Sequence, residues 1–406
     1  MRKLSGGLRE ISAERTLHNI LPLARRFGVI RVTQITHLDR INIPVYASIR
    51  PSAAAGIVRV HNGKGVSDIE AKVGALLEAF EFQIAEPPRY DLITRTVTAS
   101  EMQESVSHGF ELSDLCVRFG TEVLRTEEIP CLEAEDVLNR RSVLVPAELV
   151  HLPYRNPIHR SIFGSSTNGL ASGNTITEAS IHAVCEVLER DVRSRLAVVD
   201  IATLVSAEDW PDDIAALRRK IEKAGLSLHL LYAVSAIGYP FFKAYISEKS
   251  AYAITAISAG YGLHPDPGIA ASRAITEAAQ SRLTYIHGGR DDTIARYDYL
   301  SQKPKQTESD LNRETLHYLA NFNTEIRFSR ISGGPAYKSL QKCWDDILSL
   351  LKLSGFNHLF RVNLTPPDMP FSVVRVIIPK MEYFNPELQR IGPRLSHLIS
   401  TIKRGS

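Results

Sequence analysis

The sequence predicts an α+β fold, in which mixed or antiparallel sheets are backed by helices. β-rich segments are interleaved with amphipathic helical segments along the 406 residues, an order typical of this class. A hydrophobic content of 44% suffices to bury one large core or two ordinary ones. No break in composition separates two domains, so we expect residues 1–406 to form a single domain.

The first part of the chain predicts, in order, a helix, three strands and a second helix. These segments are 13–27, 29–35, 45–49, 57–61 and 67–82. Pro22 is expected to kink the first helix or divide it in two, because proline lacks the backbone N–H that a helix interior uses. The following section, 85–160, is rich in proline and irregular, with short strand patterns near 92–98 and 142–145.

The remainder predicts four helices and five strands around one polar loop. The helices are expected at 176–195, 209–224, 268–286 and 337–353. The strands are expected at 227–234, 241–247, 251–258, 357–364 and 372–379. The polar, proline-bearing residues 288–311 predict a mobile surface loop.

Composition argues against several classes of protein. The net charge of +3 is modest and the basic residues are scattered, so we expect no nucleic-acid partner. The most apolar stretch, 230–246, is interrupted by Gly238, Pro240 and Lys243 and does not predict a membrane span. The N-terminus lacks the apolar run of a signal peptide, so a cytoplasmic location is expected. Four widely spaced cysteines indicate reduced thiols, and the acidic neighbours of Cys185 disfavour it as a nucleophile.

One glycine-bearing loop followed by an acidic helix is the most informative motif. Residues 168–174 (Asn-Gly-Leu-Ala-Ser-Gly-Asn) precede the helix predicted at 176–195. On that helix Glu178, His182 and Glu186, followed by Glu189 or Arg190, recur at steps of three or four and so share one face. Stacked carboxylates repel one another unless a cation lies among them. The motif therefore predicts a bound positive group.

The same arrangement recurs in two other places. The sequence Gly63-Lys64-Gly65 precedes a helix that carries Glu78 and Glu81, and residues 264–268 precede a helix with a mixed polar face. That face carries Arg273, Glu277 and Gln280, followed by Arg282. Each helix taken alone is most simply a charged, solvated face. Recurrence in three units instead favours one composite site.

The chemistry of these residues favours a magnesium–nucleotide site. Carboxylates suit hard cations, and Mg²⁺ usually arrives with phosphates. Glycine-rich loops can hold phosphates through backbone N–H groups, and Lys64 adds a positive charge. The patterns of EF-hands, HExxH zinc proteases, di-iron bundles, Walker A loops and protein kinases are all missing, and His182 is expected to be a packed or supporting residue.

Together these segments resemble the YcaO family. The resemblance lies in residues 166–191, in Gly63-Lys-Gly, in Glu78-Ala-Phe-Glu81 and in 264–282, and it covers nearly the whole chain. It implies a YcaO-like fold with ATP and Mg²⁺ held between the acidic helices, and use of ATP to activate a peptide backbone amide. Phe82, where arginine often follows, and Gly74, where a small hydroxyl residue is common, depart from the pattern.

The resemblance also implies a role for each site residue. It assigns catalytic Mg²⁺ binding to Glu78, Glu81, Glu178, Glu186 and Glu189. It assigns contacts with the phosphates or the nucleotide to Arg9, Thr16, Lys64, Asn174, Arg190, Arg273, Glu277, Gln280 and Arg282. A nucleophile would add to the amide carbonyl, and the resulting oxyanion would take the γ-phosphate of ATP.

The flanking sequences indicate the branch of the family. Residues 28–45 and 48–51 resemble the form that accompanies TfuA proteins in peptide thioamidation. The C-terminal residues lack the Pro-x-Pro-x-Pro tail of azoline-forming members, and no fused leader-peptide domain is recognised. We therefore expect a TfuA-like partner, a sulfide source, a peptide or protein substrate and a homodimer. Azoline formation and an accessory, non-catalytic role in methylthiotransferase-type modification remain the alternatives.

Overall fold

In the part of the chain that the structure describes, helices combine with four antiparallel or mixed sheets, which confirms the predicted α+β class. The computed structural model describes residues 1–87, 92, 94–107, 109–248, 255–290, 308–322, 324–385 and 388–405. Its helices are α1 (Ala13–Ile20), α2 (Asp68–Ala85), α3 (Ala99–Val106), α4 (Ile176–Leu196), α5 (Asp212–Lys223), α6 (Pro267–His287), α7 (Glu308–Ala320), α8 (Leu340–Leu353) and α9 (Pro393–Gly405).

The strands form a hairpin and three larger sheets. In chain order they are β1 (Arg2–Leu4), β2 (Gly7–Arg9), β3 (Arg31–Gln34), β4 (Val45–Ile49), β5 (Val60–Lys64), β6 (Arg95–Thr98), β7 (Glu128–Asp136), β8 (Arg141–Pro146), β9 (Leu170–Gly173), β10 (Thr203–Ser206), β11 (Ser227–Val234), β12 (Pro240–Ser247), β13 (Ile257–Leu263), β14 (Glu325–Arg327), β15 (Phe360–Asn363) and β16 (Ser372–Ile377). The sheet orders are β1-β2, β3-β4-β5, β13-β12-β11-β10-β14 and β6-β7-β15-β16-β9, with β8 also paired to β7.

Each of the three acidic helices packs on its own sheet. Helix α2 lies against β4 and β5, α4 against β9 and β16, and α6 against β12 and β13. Further contacts of α2 with β9, of α4 with β13 and of α6 with β5 join the three helix–sheet units. Helices from distant parts of the chain therefore meet at one place.

Glycines within the strands allow this close packing. A Cβ atom on Gly63 would lie 2.0 Å from the carbonyl oxygen of Ala71, and one on Gly260 would lie 2.1 Å from the nitrogen of Ala278. A Cβ on Gly173 would lie 2.5 Å from the nitrogen of Ala179. Gly63 and Gly173 belong to strands β5 and β9, so they are not parts of the phosphate-binding loops that the sequence suggested. They are required because the following helix crosses the strand at backbone contact.

Hydrogen-bonding side chains start each acidic helix. Ser67 and Glu70 form a reciprocal capping box at the start of α2. The Thr175 hydroxyl accepts from the backbone N–H of Glu178, and Asp266 accepts from that of Ile269 in front of Pro267. These caps fix the direction in which each helix leaves its strand.

Several predicted boundaries differ from the structure. Pro22 lies in a short 3-10 turn after α1, so the helix expected at 13–27 ends at Ile20. The strand expected at 251–258 is instead Ile257–Leu263, and residues 249–254 lie outside the described residues. Of the loop expected at 288–311, residues 291–307 also lie outside them, while helix α7 already begins at Glu308.

The core lies between the helices and the sheets. Its largest cluster joins α2 to the six-stranded sheet, and the ring of Phe80 stacks on Phe27 with centroids 4.3 Å apart. A second cluster packs α4 and α8 against the opposite face of the same sheet, because Ala171 and Val374 belong to it while their neighbours Leu170 and Val373 belong to the first. Within the described residues, no helix combines the length and the apolar content of a bilayer span.

Candidate active site

A cavity of about 1190 Å³ opens where the three acidic helices meet. The hairpin β1-β2, helix α1, the strands β5 and β9, residues 56–58 and 165–167, and the segment after β16 also line it. It brings together all the site residues named from the sequence except Arg282. Those on its wall are Arg9, Thr16, Lys64, Glu78, Glu81, Asn174, Glu178, Glu186, Glu189, Arg190, Arg273, Glu277 and Gln280.

Glu178, at the start of α4, is held by a hydrogen-bond network that includes residues from the N-terminal part of the chain. The side chain of Arg9 donates to its Oε1 at 3.0 Å, and the backbone N–H of Glu10 donates to its Oε2 at 2.9 Å. The Asn174 amide donates to both oxygens, at 3.0 and 3.1 Å, while Asn174 itself accepts from the Thr16 hydroxyl at 2.9 Å. Four predicted site residues are therefore bound to one another.

Helix α6 forms the opposite wall. Lys64 makes an ion pair with Glu277, and Gln280 donates to the backbone oxygen of Asn62 at 3.0 Å. Burial raises the pKa of Glu277, but the charge and hydrogen bond of Lys64, together with the charges of Arg193 and Arg190, outweigh it and lower that pKa overall. Glu277 therefore stays ionised and keeps Lys64 at the cavity edge.

The guanidinium of Arg273 spans two elements of the wall. It donates to the backbone oxygen of Gly6 at 3.1 Å and lies 3.3 Å from Nε2 of His182. Burial and the charge of Arg273 hold the pKa of His182 well below its usual range. His182 is therefore neutral, in agreement with the supporting role expected for it.

Glu81 and Glu186 carry the most unusual electrostatics of the site. Glu81 accepts from the backbone N–H of Ser172 at 2.7 Å and from its hydroxyl at 2.5 Å. Burial raises the pKa of Glu81 to about 8, and the nearby charges of Glu186 and Glu78 add to the effect. Burial also raises the pKa of Glu186, although Arg190 opposes the shift. Oε1 of Glu186 is buried and has no hydrogen-bond partner from the described part of the chain.

Two further carboxylates complete the acidic wall. Burial raises the pKa of Glu189, and the charge of Glu277 raises it further. Glu78 lies 3.9 Å from the guanidinium of Arg290. The cavity therefore holds several carboxylates that the protein neutralises only in part, and an added cation would lower their mutual repulsion.

The residues fit a magnesium–phosphate group better than a metal bound by protein alone. Among the described residues, no three His, Cys, Asp or Glu side chains converge into a ready-made metal cluster. Mg²⁺ commonly takes one or two carboxylates and completes its shell with phosphate oxygens and water. The buried Oε1 of Glu186 offers such a ligand, and Nε atoms of Arg190 and Arg273 are buried without hydrogen-bond partners in the same wall.

Arg282 lies apart from this wall. It is 4% exposed, and its guanidinium bonds Asp39 at 3.0 Å, Glu248 at 2.7 Å and the carbonyl oxygen of Thr255 at 2.7 Å. Its place five residues after Glu277 turns it away from the cavity, because residues share a helix face at steps of three or four. The structure gives Arg282 a part in packing α6 onto its neighbours.

Several wall residues were not identified from the sequence, among them Ser172, Arg290 and Tyr383. Ser172 binds Glu81, Arg290 lies beside Glu78, and Tyr383 lines the cavity from the segment after β16. Ser172 lies inside the glycine-bearing motif, and its alternation with Asn174 along β9 could have indicated that both face the same side. Arg290 lies three residues beyond the end of α6 and Tyr383 lies after β16, and neither position belongs to a helical or strand pattern that could have indicated it.

Cys185 has no part in the chemistry of this wall. It is 2% exposed, and burial raises the pKa of its thiol to about 12. A thiol in this state is not a nucleophile near neutral pH.

Comparison with known proteins relates the fold and site to one family. Residues 62–382 match the family model described as YcaO cyclodehydratase, ATP- and Mg²⁺-binding. This description confirms the predicted cofactors at the level of the family.

Three individual proteins extend the similarity to nearly the whole chain. An uncharacterised protein of Methanothermobacter thermautotrophicus is 35% identical over 91% of this chain and 93% of its own length. An uncharacterised protein of Rhizobium leguminosarum bv. trifolii, described as lying in the tfuA 3' region, is 33% identical over 92% of this chain and 88% of its own. The solved structure of YcaO from Methanopyrus kandleri with AMPPCP and Mg²⁺ covers 97% of both chains, at 24% identity and a TM-score of 0.74.

Proposed function

The chain belongs to the YcaO family, and from that premise we propose that it uses ATP to activate a peptide backbone amide for thioamide formation, with a TfuA-like partner supplying sulfide. The observation that carries this proposal is the meeting of buried, incompletely paired carboxylates and arginines in one cavity of about 1190 Å³. Such a cavity suits a ligand that brings both cations and phosphates.

Five carboxylates are available to the magnesium ions. Glu186 offers an unpaired oxygen, while Glu81 and Glu189 have raised pKa values because of burial. Glu78 and Glu178 lie on the same wall but already have Arg290 and Arg9 as neighbours. Bound Mg²⁺ would neutralise charge on the phosphate oxygens.

The basic and amide side chains are suited to the phosphates and the nucleotide. Arg190 and Arg273 present buried guanidinium nitrogens without partners, and Lys64 is held at the edge by Glu277. Arg9, Thr16, Asn174 and Gln280 are fixed by hydrogen bonds within the wall. A preorganised set of donors stabilises developing charge without reorganising during the reaction.

The proposed reaction balances without a covalent enzyme intermediate. Hydrosulfide adds to the amide carbon, and the resulting oxyanion attacks the γ-phosphorus of ATP, which releases ADP. The sulfur then loses its proton as the C–O bond breaks, so that a C=S bond forms and inorganic phosphate leaves. The raised pKa of Cys185 agrees with a mechanism in which no thiol of the chain is the nucleophile.

The TfuA-like partner is supported by similarity over most of the chain. The relative from Rhizobium leguminosarum lies in the region 3' of tfuA and shares 33% identity over 92% of this chain. A homodimer and a peptide or protein substrate follow from the same resemblance and belong to the proposal.

Azoline formation is the second candidate, because the family model carries the description of a cyclodehydratase. In that case the attacking group would be a cysteine, serine or threonine side chain of the substrate itself. The activation of the amide oxygen by ATP would be the same, and the two candidates differ only in the nucleophile.

The test combines the purified chain with its TfuA-like partner, ATP, Mg²⁺, sodium sulfide and a candidate peptide encoded nearby. Thioamidation replaces one oxygen atom by sulfur, so the peptide mass should rise by the difference between the two atomic masses. One ADP and one phosphate should form for each modified amide. Loss of one water instead would identify azoline formation. Absence of both mass changes, together with no Mg²⁺-dependent ATP turnover, would contradict the proposed function.

A further inference from the structure

A second, smaller cavity of about 320 Å³ adjoins the first. It lies between the C-terminal half of α4, the strands β12 and β13, and the segment after β16. Its wall comprises Arg190, Arg193, Leu196, Ala197, Lys243, Tyr261, Tyr383, Phe384 and Asn385. Because Arg190, Tyr383 and Asn385 also line the large cavity, the two spaces share a wall. We call the smaller space the basic subsite.

The charge of the basic subsite has one sign. Arg190, Arg193 and Lys243 line it, and no Asp or Glu is among its described wall residues. The large cavity differs, since basic and acidic side chains there occur together. Partly buried cations repel one another, so a concave wall of this kind favours an anionic ligand.

Aromatic rings hold two of these cations in place. The guanidinium carbon of Arg193 lies 3.8 Å from the ring centroid of Tyr261. The ammonium of Lys243 lies 4.5 Å from the ring centroid of Tyr245 and 5.8 Å from that of Tyr261. Stacking of the Arg193 guanidinium on a ring fixes the cation without the ion pair to a carboxylate that would occupy its N–H donors. Lys243 also hydrogen-bonds the side chain of Tyr245, which uses one of its three donors.

The remaining wall is mostly apolar. Leu196, Ala197 and Phe384 form its apolar part, Tyr383 and Asn385 add polar groups, and Phe384 is 37% exposed, which leaves a route from solvent. A volume of about 320 Å³ lies at the lower end of the usual range for ligand pockets, and it suits a single side chain more than a nucleotide. An inorganic anion would gain little from the apolar part, whereas the methylene groups of an acidic side chain would pack on it.

We propose that the basic subsite binds a carboxylate of the peptide substrate, in a residue next to the amide that is activated in the large cavity. This inference rests on the proposed function and names a feature of its substrate. The carboxylate can come from an Asp or Glu side chain or from the peptide C-terminus. In either case Arg193 and Lys243 would select an acidic peptide, while Arg190 would connect the subsite to the phosphates.

The first test is a binding measurement without turnover. Fluorescein-labelled peptides of equal length are compared by anisotropy in the presence of AMPPCP and Mg²⁺. One carries a single Glu and an amidated C-terminus, one carries Gln instead, and one carries Gln with a free C-terminus. We expect the Glu peptide or the free-carboxylate peptide to bind about tenfold tighter than the amidated Gln peptide, as for one charge-assisted contact. Whichever binds tighter identifies the source of the carboxylate.

Variants of the wall assign this preference to the basic subsite. Lys243→Gln should abolish the preference while leaving the affinities for the amidated Gln peptide and for AMPPCP unchanged. Arg193→Gln should abolish the preference too, and only the ratio of peptide affinities is compared in this variant, because the charge of Arg193 also acts on Glu189 and Glu277. Lys342→Gln, which removes an exposed lysine on α8, is the matched control, and this variant should keep the preference for the carboxylate-bearing peptide. Lys243→Glu should reverse the selection, so that a peptide with Lys in place of Glu binds more tightly.

Four results would overturn the subsite. They are equal binding of all three peptides, no binding of any of them, an equal loss for all peptides in Lys243→Gln, and competition by inorganic phosphate as strong as that by N-acetylglutamate. Failure of the proposed function is a different outcome, namely peptide binding without a modified product. Conversely, thioamidation without any preference for a carboxylate would remove only the subsite.

Discussion

Two groups of buried carboxylates in this chain differ in how the protein satisfies them. Asp136, at the end of β7, is 0% exposed, and its Oδ2 lies 2.8 Å from Nδ1 of His358 and accepts from the Asn139 amide at 2.7 Å. Burial raises the pKa of Asp136, but these two hydrogen bonds outweigh it and lower the pKa overall. Glu186, in the large cavity, instead has a raised pKa and a buried oxygen without a partner.

Glu148 shows the same full satisfaction as Asp136. Its carboxylate accepts from three successive backbone N–H groups, those of Ile162, Phe163 and Gly164, and from the Ser161 hydroxyl. Burial of a carboxylate is therefore not in itself a sign of function in this chain. The sign is a shortage of donors, because an unpaired buried charge is costly unless a ligand completes it.

The largest expected effect is the loss of Mg²⁺-dependent ATP turnover when Glu186 is substituted. Glu186→Gln removes the charge of a proposed magnesium ligand while keeping its shape, so Mg²⁺-dependent ATP turnover should fall by about 100- to 1000-fold. Thermal unfolding without ligand should stay unchanged or shift upward, because a like charge has been removed. Steady-state ADP release and a melting curve on the same preparation measure both quantities. Normal turnover would show that Glu186 is not a ligand.

Substitution of Asp136 should lower stability and leave ATP binding unchanged, the opposite of what is expected for Glu186. Asp136→Asn places an amide donor against the side chains of His358 and Asn139 and should lower the free energy of unfolding by about 1–3 kcal/mol. Asp136 is not on the cavity wall, so the KM for ATP of the folded variant should not change. Chemical denaturation and ATP kinetics test the two statements. If Asp136→Asn were as stable as the parent, the claim that the hydrogen bonds of Asp136 stabilise the fold would be wrong.

The pH dependence of the Mg²⁺ requirement should reveal Glu81. Its pKa is raised to about 8 by burial, so a proton competes with Mg²⁺ below that pH. The KM for Mg²⁺ should therefore fall by up to about tenfold for each pH unit between pH 6 and 8 and level off above pH 8. In Glu81→Gln this dependence should flatten, whatever turnover remains. A flat profile in the parent protein would contradict the raised pKa.

The smallest effect concerns stability. A carboxyl group with a raised pKa in the folded state adds stability that is fully present below its unfolded value of 4.5 and is lost as the pH rises through about 8. Without ligand, Glu81→Gln should therefore be more stable than the parent at pH 9 and should approach it near pH 5. Denaturant curves at both pH values measure the difference. A variant that is less stable at pH 9 would point to lost hydrogen bonds with Ser172 as the larger effect.

The sequence predicted which acidic residues lie together better than it predicted the bounds of the strands and helices. Helical spacing put Glu178, Glu186 and Glu189 on one face, and the structure places them on one wall because a helix of regular geometry preserves that spacing. The meeting of α2, α4 and α6 depends on sheet packing, and only the recurrence of the glycine-bearing motif indicated it. The glycines of this motif were interpreted as parts of phosphate-binding loops. The structure shows that a glycine is needed at Gly63 because the following helix packs directly against the strand there.

Elements with mixed signals were missed. Strand β7 has nine residues and lies in the section that was expected to be irregular. It contains Pro130, which lies opposite Thr96 of β6, and a proline inside a segment argues against a strand when only the sequence pattern is considered. Helix α9 begins at Pro393, a residue that suits the first turn of a helix as well as a loop. Arg282 was assigned to the nucleotide from a motif, but its partners Asp39 and Glu248 lie far away in sequence and could not be inferred from it.

The proton balance of ligand binding tests the central claim most directly. Calorimetric titration of the chain with AMPPCP and Mg²⁺ at pH 7, repeated in buffers of different ionisation enthalpy, counts the protons released. If the cavity carboxylates receive the metal, about one proton should leave on binding, and the number should fall toward zero in Glu81→Gln while Asp136→Asn behaves as the parent. Binding of equal strength with and without Mg²⁺, and with no proton released, would contradict the account.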